Sequence, residues 1–191
     1  MTNVTIIGTG NMGQAIAGLV TRGGNTAQIL GETDTDQAVT GDVVVLAVPY
    51  AALADVVATR GASLAGRVVV DITNPVDFAT FDSLVVPADS SAAAELAAAL
   101  PESQVLKAFN TTFAATLATG TVGGLTTTVL IAGDDADAKA QLAEVVSAAG
   151  LNAIDAGPLR RARELEAIGF AQISLAVGEK VSWTGGFGVA A

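Results

Sequence analysis

Apolar and polar residues along the chain switch between two periods, and each switch marks an element. Val4-Thr5-Ile6-Ile7 is a short β-branched run that stops at Gly8, as a buried parallel strand does. Met12, Ala15, Ile16, Leu19 and Val20 then fall at helical spacing, and Gly23-Gly24 closes that helix. Residues 27–30 read as a second strand, and the polar link 32–41 after it is too short for a full crossover helix. Further strands are expected at 43–48, 67–73, 105–109, 126–132 and 151–154. Helices are expected at 51–59, 90–100 and 136–148, the last capped by Asp134. Gly157-Pro158 opens a final helix, because proline suits the first helical position. Alternating β and α units imply a Rossmann-type α/β fold, a doubly wound parallel sheet covered on both faces. The expected division is a dinucleotide-binding domain over 1–157 and a C-terminal helix and tail over 158–191, packed as one unit.

The segment Gly8-Thr9-Gly10-Asn11-Met12-Gly13 follows the first strand and opens the first helix, the context that gives G-x-G-x-x-G its meaning. Gly8 permits a tight turn, Gly10 lets the backbone approach a pyrophosphate, and Gly13 lets helix and strand pack closely. The helix start then offers unpaired N–H groups and a partial positive charge to phosphates. NAD(P) is the cofactor this predicts. Glu32, beside Thr33, lies nineteen residues after Gly13, where an acidic residue accepts hydrogen bonds from the adenosine ribose. A carboxylate there repels the extra phosphate of NADP, and no Arg or Lys stands between Arg22 and Arg60 to offset it. The residue pattern therefore favours NAD; the alternative is a solvated loop carboxylate. Three more segments end predicted strands, where ligands bind in open α/β sheets. Ala47-Val48-Pro49-Tyr50 offers an apolar wall for a flat ring. Thr73-Asn74-Pro75 and Ala108-Phe109-Asn110-Thr111 offer amides and hydroxyls for ribose or a carboxamide.

Composition narrows the chemistry. The 191 residues contain no Cys and no His, which excludes disulfide frameworks, thiol nucleophiles, zinc fingers and His-dependent triads, and no metal site is expected. Nine basic against nineteen acidic residues leave a net charge of −10, so nucleic acid and membrane surfaces are not expected partners. Mean hydropathy is +0.55, yet the longest apolar stretches, such as 43–49, fall well short of the eighteen or so residues that cross a bilayer. The N-terminus carries no basic segment of a signal peptide, so a cytoplasmic protein is expected. Arg160, Arg161 and Arg163 cluster where the last helix starts and its dipole disfavours cations. They either pair with Glu164 and Glu166 or a partner subunit, or meet an anionic group on a second substrate. Trp183 and Phe187 read as core or dimer packing rather than a stacking platform.

These residues give the chain a family likeness. It resembles the NADP oxidoreductases dependent on the deazaflavin coenzyme F420, and is similar to the related reductase domain of the membrane metalloreductases. The likeness rests on the glycine segment, Val48-Pro49, Asp71-Ile72-Thr73-Asn74-Pro75, Lys107-Ala108-Phe109-Asn110-Thr111 and Asp155-Ala156-Gly157-Pro158-Leu159, and is closest to short dinucleotide-binding oxidoreductases. It implies hydride transfer between a nicotinamide and a flavin or deazaflavin ring, and a homodimer whose C-terminal helix closes the site. It also implies NADP, held after the second strand by Ser and Arg or Lys; here that stretch is Gly31-Glu32-Thr33-Asp34. Transfer between two bound rings depends on positioning, so no catalytic acid or base is expected. Tyr50 and Lys107 are the proton donors left for a carbonyl route. Two alternatives stay open. One is a small imine or ketone reductase, since the glycine segment with Ala15-Ile16 is also similar to pyrroline-carboxylate reductase, whose long helical dimerisation domain does not follow Pro158 here. The other is a nucleotide-sensing module without turnover.

Overall fold

The computed structural model describes residues 1–190; the last residue of the expected 158–191 segment lies outside the described residues. The chain runs β1 (Asn3–Ile7), α1 (Asn11–Arg22), β2 (Thr26–Leu30), β3 (Val43–Leu46), α2 (Leu53–Leu64), β4 (Val68–Asp71), α3 (Ala92–Ala99) and β5 (Gln104–Lys107). It continues through α4 (Ala114–Thr119), β6 (Thr121–Val122), β7 (Leu125–Thr126), β8 (Thr128–Gly133), α5 (Ala136–Ala148), β9 (Asn152–Gly157) and α6 (Ala162–Val177). Seven strands make one sheet in the order β2-β1-β3-β4-β5-β8-β9.

The near-continuous apolar runs become strands because both sheet faces are covered. Val43 and Val45 point with Val4, Ile6, Val68 and Val70 into a core under α1 and α5. Their neighbours Val44 and Leu46 point with Ile7, Val69 and Val105 into a second core under α2 and α3. The Rossmann-type α/β expectation holds, with one local departure: β8 pairs antiparallel to β5 through Leu106↔Gly133 and Lys107↔Ala132. A parallel neighbour needs a crossover that carries the chain back along the sheet. Between β5 and β8 stand only the six-residue α4, about 9 Å long, and the β6–β7 hairpin, so the chain re-enters from the edge where it left. That hairpin turns on Gly123 and Gly124, both with positive φ, the geometry of a tight two-residue turn.

Two corrections concern local contacts. Asp135, not Asp134, caps α5, accepting from the Ala138 N–H at 2.8 Å. Asp134 instead accepts from Leu159 N–H at 2.9 Å and ties the start of α5 to the chain before α6. Pro158 starts a 3-10 turn over Leu159–Arg161, and α6 begins only at Ala162. The clipped link after β2 is as expected, and its backbone is held by side chains in place of a helix. Arg60 of α2 donates to the carbonyls of Asp34 and Gln37, and Arg67 to those of Val39 and Gly41.

The most consequential contact lies beneath the carboxyl edge of the sheet. Lys107 at the end of β5 is fully buried, and its Nζ sits 2.8 Å from Asp71 Oδ2 of β4 and 2.8 Å from Glu166 Oε1 of α6. It also donates to the Thr73 carbonyl at 2.5 Å. Glu166 in turn accepts from the Ala92 and Ala93 N–H groups at the start of α3. Burial pushes the Glu166 carboxyl above its ordinary value, and Lys107 beside it pulls the other way. Glu166 therefore does not pair with the arginine cluster. Arg161 reaches Glu164 at 3.9 Å on the surface instead.

Removing the one cation should cost far more than removing one of its two anions. Lys107→Met would leave two buried carboxylates without their counter-ion, an expected loss of about 3–5 kcal/mol. Glu166→Gln keeps the Lys107–Asp71 pair and the shape of the side chain, so urea denaturation should show a clearly smaller loss. Equal losses would mean that the ammonium does not organise this cluster.

Candidate functional site

β1, β3 and β4 end side by side, and the loops leaving them wall a cleft at the edge where the strand order reverses between β1 and β3. The glycine loop forms one bank. Gly8 has φ 125°, and a Cβ there would lie 2.1 Å from the Ala47 carbonyl oxygen. A Cβ on Gly13 would lie 2.2 Å from the Gly8 carbonyl oxygen. Both glycines are thus required by the protein's own packing. Gly10 is not: its φ of −71° suits any residue, and no atom lies within 4 Å of where its Cβ would stand. The space beside Gly10 is open, and α1 begins there with no side-chain cap and no acidic residue in its first turn. Its N–H groups and the positive end of its dipole are unanswered by the protein, which fits a bound diphosphate.

The cleft has two lobes. The first, about 330 Å³, is lined by Gly10, Asn11 and Met12, by Ala47-Val48-Pro49-Tyr50, by Ile72, Thr73 and Asn74, and by Phe78 and Ile173. The second, about 460 Å³, shares Asn11, Met12, Ile72, Asn74 and Ile173 and extends past Asn110, Thr112, Phe113, Trp183 and Thr184. Each lobe has a buried polar atom without a partner in its wall, Thr73 Oγ1 in the first and Asn110 Oδ1 in the second.

Most of the expected site residues are brought together here. Gly8, Thr9 and Gly13 build the loop behind its exposed bank. Glu32 and Thr33 are exposed in the turn after β2, outside both lobes. Pro75, Ala108 and Phe109 are buried and line neither lobe: Phe109 is 1% exposed and belongs to the core under α1 and α5, because the chain turns inward after β5. The amides of Asn74 and Asn110 are largely spent on each other. Asn110 Nδ2 donates to Asn74 Oδ1 at 2.9 Å and to the Leu165 carbonyl at 2.9 Å, and Asn74 Nδ2 donates to the Asn110 carbonyl at 2.8 Å. α6 closes on this pair at Gly169, where a Cβ would lie 2.2 Å from Asn74 Oδ1.

The two candidate proton donors are both engaged. Lys107 is locked in its buried cluster. Tyr50 donates to Glu95 Oε2 at 2.6 Å, and this bond, followed by burial, pushes its pKa from 10.0 up to about 12. Among the described residues lining the two lobes, Tyr50 alone titrates. Trp183 is not core: it is 52% exposed and leans on Phe113 with ring centroids 4.9 Å apart. Phe187 is likewise 47% exposed. Residues that the sequence reading missed include Arg60, which lies against the Glu32 turn from a helix far along the chain, and Ile173, whose helical face is set only by the docking of α6. Phe113 was equally hidden, since the short α4 that it precedes was not anticipated.

Comparisons with known proteins show the family and the fold. The family model described as NADP oxidoreductase, coenzyme F420-dependent, matches residues 25–75. An F420-dependent NADP reductase of Methanocaldococcus jannaschii is 32% identical over 166 residues, 85% of this chain and 74% of that protein. Metalloreductase STEAP3 of Rattus norvegicus is 38% identical over 105 residues, 55% of this chain and 20% of that protein. A crystal structure from Arthrobacter sp. FB24, assigned to F420-dependent NADP reduction, superposes with a TM-score of 0.87 at 25% identity over 100% of both chains. No helix among the described residues is long and apolar enough to cross a membrane.

Two measurements probe the site. Gly10→Val should leave the thermal midpoint nearly unchanged, because the new side chain meets no protein atom, while dinucleotide affinity falls by more than about ten-fold. Unchanged binding would remove the loop from the site. Tyr50 is the chain's one tyrosine, so a spectrophotometric titration should show a single phenol near 12, moving down toward 10 in Glu95→Gln. A phenol titrating at its ordinary value in the parent protein would break the Tyr50–Glu95 link.

Proposed function

We propose that this chain, which belongs to the family of coenzyme F420-dependent NADP oxidoreductases, transfers hydride between a nicotinamide dinucleotide and a flavin-type ring bound beside it. One observation carries the reading: the open bank at Gly10 and the uncapped start of α1 share a single cleft with walls of amides, hydroxyls and apolar side chains. A bound nicotinamide supplies a hydride from its C4 position, two electrons with one proton, and the acceptor ring takes a second proton from solvent. The protein's part is to hold and exclude. Backbone N–H groups of Asn11 and Met12 would hold the diphosphate, and Ala47, Val48, Pro49, Ile72, Phe78 and Ile173 wall the first lobe. Positioning of this kind does most of the work in hydride transfer.

Imine or ketone reduction fits the cleft less well. It calls for a proton donor of tuned pKa at the reacting atom, whereas the Tyr50 proton is tied to Glu95 and Lys107 is buried. Ile168 and Leu175, seven residues apart on the outer side of α6 and 36% and 37% exposed, support the homodimer implied by the family likeness.

Nucleotide preference is the finer part of the proposal. Named relatives are NADP reductases, but the turn after β2 here exposes Glu32, and the nearby Arg60 guanidinium is committed to backbone carbonyls. NAD(H) is therefore expected to bind more tightly than NADP(H), through the adenosine ribose hydroxyls. Oxidation of NADH and NADPH, followed by absorbance with FMN, F420 or a cyclic imine, tests both points. Turnover with the flavin-type acceptors is the expected result; turnover with the imine alone, or tight nucleotide binding with no turnover, overturns the reading. Glu32→Arg should shift the NAD/NADP affinity ratio toward NADP by about ten-fold or more. An unaltered ratio takes Glu32 out of the site.

A further inference from the structure

The second lobe differs from the first in that a chain end forms part of its wall. Trp183 and Thr184 line it, whereas no residue beyond Ile173 lines the first. Both belong to the segment 181–190, which follows α6 and leaves it through Gly178 and Glu179, the latter with a φ of 57°. Lys180 N–H donates to the Leu175 carbonyl at 2.8 Å, so this bend is itself fixed. Past the bend, one hydrogen bond among the described residues ties 182–190 to the rest of the chain: Phe187 N–H donates to Gln172 Oε1 at 2.8 Å. Gln172 stands on α6 and is 1% exposed, so its amide needs a buried partner. Gly186 suits this contact, with a φ of 132° and only 2.9 Å between the place of a Cβ and Gln172 Oε1.

The seat of the segment is polar. A cavity of about 10 Å³ is enclosed between Gly185, Gly186 and Phe187 on the segment and Thr111, Thr116, Thr127 and Thr128 on the body. Thr128 Oγ1 is buried there with no hydrogen-bond partner. A segment seated on apolar side chains is held down by the cost of exposing them. Lifting this one wets hydroxyls instead and brings water to Thr128 Oγ1. What holds it shut is chiefly the Gln172 bond and the lean of Trp183 on Phe113.

We propose that residues 181–190 form a gate over the second lobe, hinged at Gly178–Glu179 and latched by Gln172, which lifts to admit a ligand and closes with Trp183 and Thr184 against it. Gln172 is a positioning residue: it lines neither lobe and acts through the segment that it holds. The gate is a property of this chain alone and stands whatever ligand it admits.

A lock can be built on it. The chain has no Cys, and a Cβ at Gly188 would lie 3.8 Å from Leu125 Cβ, the spacing of a disulfide. Leu125→Cys combined with Gly188→Cys should, once oxidised, fasten the segment to the β6–β7 hairpin. Amide hydrogen exchange at Phe187, followed by NMR, reads opening without any ligand. In the parent protein it should run about 100-fold or more faster than at the buried amides of α6. Gln172→Leu and Gly186→Ala should each speed it by about five-fold or more. Gly185→Ala, one residue away and without a positive φ, should leave it within about two-fold of the parent. Oxidation of the double variant should slow exchange by about ten-fold or more, and reduction should restore it. NADPH oxidation with FMN should likewise fall by about ten-fold or more on oxidation and return on reduction, with NADPH affinity within about two-fold throughout. Gly186→Ala lies outside the core, so it keeps the latch testable if Gln172→Leu fails to fold. Exchange at Phe187 as slow as in the core, or turnover that persists in the oxidised double variant, overturns the proposal. A parent protein with no turnover at all fails the functional reading instead, and exchange at Phe187 then decides the gate by itself.

Discussion

One buried ammonium fixes the geometry that the cleft depends on. Lys107 Nζ joins the end of β4 through Asp71, the first lobe's wall through the Thr73 carbonyl, and α6 through Glu166. Two carboxylates and one ammonium leave a net negative charge in the interior, which would be costly if nothing else answered it. The two N–H groups at the start of α3 supply that answer: Glu166 accepts from both, at the positive end of the helix. The cluster is therefore satisfied only when β4, β5, α3 and α6 are all in place. A contact that needs four elements at once selects one arrangement of them, even where its net contribution to stability is modest. The Asn74–Asn110 pair under Gly169 repeats this logic with neutral amides.

That arrangement explains why some of the site is legible in the sequence and some is not. The glycine loop reads correctly because its constraints act within six residues. Gly8 and Gly13 answer to neighbouring carbonyls, and Gly10 answers to open space. The motifs around Asp71–Pro75 and Lys107–Thr111 are legible only in part: they bring Thr73, Asn74 and Asn110 to the cleft walls, but they do not show where the polar groups find their partners. Their polar residues suggest ligand contacts, but several of their partners come from far along the chain: Asn110 Nδ2 donates to the Leu165 carbonyl across 55 residues. Residue type announces that a polar group needs a partner, and only the tertiary fold says whether that partner is protein or ligand. Trp183, read from the sequence as core or dimer packing, is half exposed, so it is not core, and its one aromatic neighbour, Phe113, lies 70 residues away. Arg60 is invisible by the same rule, since its role depends on α2 laying it across a turn that it does not adjoin in sequence.

The sheet was readable to the level of its class because buried parallel strands carry near-continuous β-branched and apolar runs, and these are present in β1, β3 and β4. The reversal of β8 was not, although the Gly123-Gly124 turn before it has a clear local signature. A hairpin so close to the edge of the sheet leaves the chain on the wrong side for a parallel return, and that conclusion needs the length of α4 as well as the turn.

An acidic protein that binds a dinucleotide must hold a doubly charged bridge without surrounding it by cations. The basic residues nearest the relevant elements are already occupied. Arg22 donates to the carbonyls of Leu117, Ala118 and Ala149, Arg60 and Arg67 hold the link after β2, and Lys107 is buried. What remains for the phosphates is the backbone at the start of α1, where uncapped N–H groups and the helix dipole act over one turn. Such a site discriminates by approach rather than by charge, since N–H groups reach a phosphate oxygen only if nothing stands between them. On the proposed function, the absent side chain at position 10 would do for this protein what a lysine or arginine does elsewhere, and its value would lie in the space that it leaves.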